Sequence, residues 1–93
     1  MAQLNVDPQK VEELIKRLHQ HTQDTLYKQK QLKGFLQNLQ QSWNDAHYNA
    51  FNEQFGEFDK AIQKALQLSE TILLPQLKNV KKFAEDYKNM GKK

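Results

Sequence analysis

Three histidines, His19, His21 and His47, are the side chains best suited to hold a metal, and their spacing argues against it. His19 and His21 stand two apart, which on a helix turns them to different faces. His47 lies beyond a turn-forming segment, far from both. The chain has no cysteine, so it offers neither a thiolate site nor a disulfide framework. It contains no paired carboxylates, nucleophile elbow or phosphate-cradling glycine loop. Slender helices also supply no concave, preorganised pocket. The sequence therefore reads as a protein without catalytic, cofactor-binding or metal-ligating residues, and not as an enzyme.

What remains is the chemistry of recognition. Trp43 is the only tryptophan, with Asn44 and Asp45 after it in a segment rich in turn formers. Aromatic and branched residues recur further along, ending in Val80, Phe83 and Tyr87. The net charge of +3 is local: six lysines between Ile72 and Lys93 face only Glu85 and Asp86. A basic tail attracts nucleic acid or anionic membrane. The simpler reading is that lysines near a helix end complement the helix dipole. A nucleic-acid reader would cluster its cations along one face with base-reading side chains among them, and these lysines are spread out. No nucleic-acid partner is expected.

The elements that must carry these residues are two long helices. Asp7 is a good N-cap, Pro8 sits at the favoured first position, and Val6 and Val11 have the spacing of a hydrophobic staple. Glu12–Lys16 and Glu13–Arg17 are stabilising i,i+4 pairs. Helix 1 is predicted over about 8–40. Its seam alternates steps of three and four through Val11, Leu14, Leu18, His21, Thr25, Lys28, Leu32, Phe35 and Leu39, a period near 3.5. Ile15 and Leu36 widen the ends, while Thr22 and Gln29 keep the middle polar. The polar seam positions His21, Thr25 and Lys28 read as setters of register and oligomeric state. The turn is placed at about 41–45.

Helix 2 is predicted over about 46–89, starting near Asp45 or earlier if Ser42 caps it. A second seam runs through Phe51, Phe55, Phe58, Ile62, Ala65, Ser69 and Ile72. Pro75 removes a hydrogen bond and clashes with the preceding turn, at a cost of ~3 kcal/mol, and the seam shifts register there to Leu77, Val80, Ala84 and Tyr87. A kink or break is expected at that point within a single domain, 1–93, with a frayed Gly91-Lys92-Lys93. Folding the chain at the turn pairs the start of helix 1 with a point near Lys78. Val80, Phe83, Ala84 and Tyr87 then overhang as a docking element or a tail.

Two helices of about 50 Å at ~1.5 Å per residue share one seam. With 38% hydrophobic residues in 93, and no cysteine staple, so small a domain is short of core. Phe51, Phe55, Phe58 and Tyr48 are more aromatic surface than one polar-centred helix covers. The fold class is all-α, an antiparallel two-helix hairpin that dimerises into a four-helix bundle. Leu14, Leu18, Leu32, Phe35, Leu39, Phe51, Phe55, Phe58 and Ile62 are the expected dimer and core seam.

Trp43 between two helical seams, with Ala46, Ala50, Phe51 and then Asn52-Glu53-Gln54-Phe55 behind it, resembles the Trp-Xaa-Gly (WXG) proteins of about a hundred residues, type VII secretion substrates. The likeness covers nearly the whole chain. It implies a dimerising helical hairpin, no catalysis, no cofactor, and leaderless export through an ATPase-driven channel. Asp45 stands where the family has glycine, a residue that permits left-handed or tight backbone, which Asp tolerates better than most; it is also able to cap helix 2. The family's C-terminal signal, Tyr-Xaa-Xaa-Xaa-Asp/Glu, would begin at Tyr87, but Gly91 occupies the acidic position.

The resemblance makes the chain a secreted substrate or a helper that escorts a larger toxin. Its partners are then a second copy or a related small helical protein, with a secretion ATPase or toxin beyond. The alternative is a coiled-coil adaptor unrelated to secretion. No apolar run approaches the ~18 residues of a membrane span, and Met1-Ala2-Gln3-Leu4-Asn5 lacks the look of a cleaved signal. Synthesis in the cytoplasm followed by export or retention is the expectation.

Overall fold

A computed structural model describes residues 6–90, and among them the chain is all-helical. The elements are α1 (Pro8–Leu39), α2 (Ala46–Leu68), a π-helical turn (Ser69–Leu73) and α3 (Leu74–Met90). The expectations for the first five residues, for the signal position Gly91 and for a frayed end fall outside the described residues.

Helix α1 begins where Asp7 accepts the Gln9 N–H on Oδ1 at 2.9 Å. The Asp7 carbonyl takes the Lys10 and Val11 N–H groups at 3.1 Å each. Two of the N–H groups that a helix start leaves orphaned, those of Gln9 and Lys10, are thereby satisfied, and the Val11 bond is the first regular one of the helix. At the other end the chain tightens into i→i+3 bonds, Gln41 N–H to Asn38 O and Ser42 N–H to Leu39 O, before Trp43 N–H returns to Leu39 O at 2.8 Å.

Helix α2 is capped by Asp45 and not by Ser42. Asp45 Oδ1 accepts the N–H groups of His47 (2.9 Å) and Tyr48 (3.0 Å), while the Ser42 hydroxyl donates back to Leu39 O at 3.3 Å. No described residue has a positive φ. Asp45 thus has an ordinary backbone conformation, and its carboxylate has a local task. The expected capacity of Asp45 to cap helix 2 is what the structure uses.

The π turn stands immediately before Pro75. Leu74 N–H donates to Ser69 O, five residues back, which widens the helical ladder by one residue. Pro75 has no N–H and its ring crowds the carbonyl four residues earlier in a regular α-helix; a π turn is a local adjustment that relieves such crowding. Buried and half-buried positions step by seven through Tyr48, Phe55, Ile62 and Ser69, then slip by one to Leu77 and Ala84. That slip is the register shift visible in the sequence, and the extra residue sits in the π turn.

The chain divides into two compact units. One joins residues up to His21 with Leu68 onward; the other is Thr22–Gln67. In the first, α3 runs antiparallel to the start of α1. Glu12 Oε2 meets Lys81 Nζ at 2.6 Å, in place of the expected pairing with Lys16. Pro8 and Gln9 share a groove with Lys88 and Asn89. Val11, Leu74 and Ala84 are buried.

The expected overhang from Val80 onward is therefore wrong. Ala84 retains only 3% of its exposure, and the end of α3 lies along the first turns of α1. Asp59, ahead of the π turn, already meets Gln29 and Lys33, so the arms are matched further along than a simple fold at the turn predicts, and the π turn adds only about one residue to that shift.

In the second unit, α1 and α2 form an antiparallel hairpin around Tyr48, Thr22 and Gln29, each buried. Gln29 Nε2 donates to Asp59 Oδ1 at 3.1 Å, and Lys33 Nζ pairs with Asp59 Oδ2 at 2.9 Å. These bonds satisfy the polar groups that the seam encloses, as burial requires.

Candidate interaction surface

The inward line of α1 in the second unit passes through Gln29 and Leu36. At about 100° per residue, Leu32 and Leu39 fall roughly 40–60° to one side of Leu36. On α2, Phe51 and Phe58 fall the same way from the inward Phe55. In an antiparallel pair, equal offsets in the chain sense open on one common side. Leu32, Leu39, Phe51 and Phe58 are 46%, 44%, 50% and 48% exposed, so this side is apolar and half bare. Phe35 stands further round at 74%. The opposite side is polar: Lys33, Gln37, Asn52, Gly56 and Asp59 line it above Leu36 and Phe55.

The first unit is sided in the same manner. Leu14, Leu18, Leu73, Leu77 and Val80 line an open groove of about 330 Å³ with Gln76. Phe83 and Tyr87 lie exposed further along α3. Glu12, Lys78, Lys81, Lys82 and Glu85 line another groove together with Ile15. Lys81 lies within 3.6 Å of Glu85 as well as pairing with Glu12. The Lys81 ammonium, by its hydrogen bond and its charge, holds the Glu12 carboxyl below its ordinary pKa, and Glu12 raises Lys81 in return. In the second unit, hydrogen bonds from Lys33 and then Gln29 lower Asp59.

The expected seam thus divides. Leu18, Phe55 and Ile62 are half-buried within their own units. Leu14, Leu32, Phe35, Leu39, Phe51 and Phe58 are exposed. His21 and Lys28, placed on the seam by the three-and-four alternation, are exposed too, and the buried polar positions are Thr22 and Gln29. On α1 the alternation moves between two stripes: Val11, Leu18 and Thr25 are buried or half-buried, while Leu14, His21, Lys28 and Phe35 each stand one residue before a buried or half-buried position.

At the turn, aromatic rings form a continuous row. Trp43 meets Tyr48 edge-on at 5.4 Å between centroids and 81° between planes. Trp43–Phe51, Phe51–Phe55 and Phe55–Phe58 follow at 6.3, 6.4 and 5.7 Å. Trp43 is half-buried while Asn44 and Asp45 are exposed. The turn motif therefore continues into the apolar side through Phe51.

The WXG100 family, described as proteins of 100 residues with WXG, matches residues 3–73, most of the chain. The chain belongs to that family. As a WXG100 protein it is a small helical protein associated with type VII secretion, and such proteins typically pair. No curated protein and no solved structure matches it. No described helix of this WXG100 chain is long and apolar enough to cross a membrane.

Sequence reasoning missed three parts of the arrangement. Tyr48 was counted as surplus aromatic surface, yet its place three residues after the cap Asp45 is a first-turn position whose N–H the cap binds. Asp59 was not singled out; its signal was a carboxylate one turn from Phe55 on the flank of the seam. The Glu12–Lys81 pair joins residues far apart in sequence, and no local pattern announces it.

Proposed function

We propose that this WXG100 protein works by binding proteins of its own build. Its apolar sides close on those of a second small helical chain, identical or related, and complete a four-helix bundle. The pair is the form that reaches the type VII machinery and leaves the cell, with a secretion ATPase or an escorted toxin as the further partner. Val80, Phe83 and Tyr87, exposed on α3, are the surface offered to that further partner, and Trp43 is offered at the turn.

One observation carries this reading. Among the described residues the buried hydrophobics are Val11, Tyr48, Leu74 and Ala84, while thirteen large hydrophobics are exposed. Bare apolar surface on this scale marks an interaction site in a soluble protein. Its sidedness is what a bundle of two hairpins requires.

The test is mass by light scattering at micromolar concentration. The chain should run at twice its 11.0 kDa, or with a related partner at the mass of the pair. Phe51→Asp with Phe58→Asp should bring it down to the single-chain mass. A cooperatively folded monomer in the unaltered protein would sink the proposal.

A further inference from the structure

We propose that Tyr48 is the positioning residue for Trp43, fixing the direction in which the turn presents the indole. This goes beyond the assembly reading, because it concerns contacts within one chain and holds whether or not a second chain binds.

Tyr48 is tied at both ends. Its N–H donates to the Asp45 carboxylate at 3.0 Å, inside the cap of α2. Its hydroxyl crosses to α1 and donates to Leu36 O at 3.3 Å. That carbonyl lies in the last turn of α1, where it also takes the Gln40 N–H at 3.2 Å. The hydroxyl therefore fastens the first turn of α2 to the last turn of α1. A buried tyrosine needs a partner for its O–H, and here that need orients the ring. At 2% exposure the ring has no freedom to swing outward.

Trp43 is held far less firmly. Its backbone is fixed by the bond to Leu39 O, but its side chain is half-buried. Two rings flank the indole. Phe51, at 6.3 Å and a tilted 41°, is itself 50% exposed. Only Tyr48 is immobile, and its edge-on contact has the geometry in which aromatic quadrupoles attract. Fixing Tyr48 fixes Trp43, and through Phe51 the start of the aromatic row.

Trp43 is the only tryptophan, so its emission and the long-wavelength indole band of the near-ultraviolet dichroism, the band read below, report its surroundings in the full chain. Tyr48→Leu keeps apolar bulk and removes the ring edge. Emission should shift to the red, acrylamide quenching should rise and near-ultraviolet ellipticity should fall, with far-ultraviolet helix signal retained. Tyr48→Phe keeps the edge and removes only the fastening hydroxyl, so it should restore most of the signature at a lower melting point. A Tyr48→Leu protein that loses helix is read through Tyr48→Phe alone, which must loosen Trp43 measurably. Unchanged quenching and dichroism in Tyr48→Phe and in a folded Tyr48→Leu would overturn the proposal, leaving Tyr48 as core filling. A second arm measures dimer dissociation in Trp43→Ala, Tyr48→Leu and the double variant. If Tyr48 acts through Trp43, the double variant is no weaker than Trp43→Ala; full additivity would overturn the proposal. A monomeric chain would defeat the assembly reading and leave the spectroscopic arm intact.

Discussion

Gly56 sits in the interior of α2, half-buried, with no positive φ. A Cβ built there meets nothing within 4 Å. Nothing inside the chain requires glycine at this position, while glycine in a helix interior costs about 0.8–1 kcal/mol relative to alanine. Gly56→Ala should therefore stabilise the protein by about that amount, with no offsetting clash. For a domain of this size, 1 kcal/mol raises the melting temperature by roughly 4–8 °C. With urea slopes of about 1–3 kcal/mol/M the midpoint should rise by roughly 0.3–1 M, at unchanged slope. The variant also tests where a second chain binds. Gly56 shares the polar side with Lys33, Gln37, Asn52 and Asp59, away from Phe51 and Phe58. Its dimer dissociation constant should match that of the unaltered protein. A lower urea midpoint, or weaker dimerisation, would mean that another chain approaches Gly56 closely and that the assembly does not use the apolar side.

Two further outcomes follow from the packing of each unit. Ala84→Leu forces extra volume into a buried position of α3, which lies against the start of α1. Overpacking costs typically about 1–3 kcal/mol, so the urea midpoint should drop; an unchanged midpoint would restore the overhanging tail. Asp59→Asn removes a carboxylate whose pKa is held below its ordinary 3.8 by Lys33 and Gln29. A depressed folded value contributes stability that is present above pH 3.8 and lost as pH falls through the folded value. The variant should melt below the unaltered protein at neutral pH, and the gap should close in acid. A gap that persists unchanged at the lowest pH would refute the ion pair as its source.

The sequence by itself determined the local matters. The cap at Asp7, the turn after Leu39 and the helical character of both arms follow from short-range chemistry: side-chain oxygens reaching nearby N–H groups, turn formers clustered together, and apolar residues recurring at helical spacing. The register shift near Pro75 was legible for the same reason, since a missing N–H acts within one turn. Trp43 with its following residues was also readable, and the family match bears out that resemblance.

Tertiary structure alone decided which apolar residues face inward. Two stripes lie beside each other on each helix, and steps of three and four collect residues from both: Phe55 and Ile62 are half-buried while Phe51 and Phe58 are exposed. Leu32 and Phe58 read like core in the sequence and stand bare in the fold. Tyr48 became the fixed ring of the turn because Leu36 O lies across from it. The axial match of α3 to α1 is likewise a matter of long-range packing. Its outcome, Ala84 buried and Glu12 paired with Lys81, rests on residues about seventy positions apart, and no local spacing encodes so distant a contact.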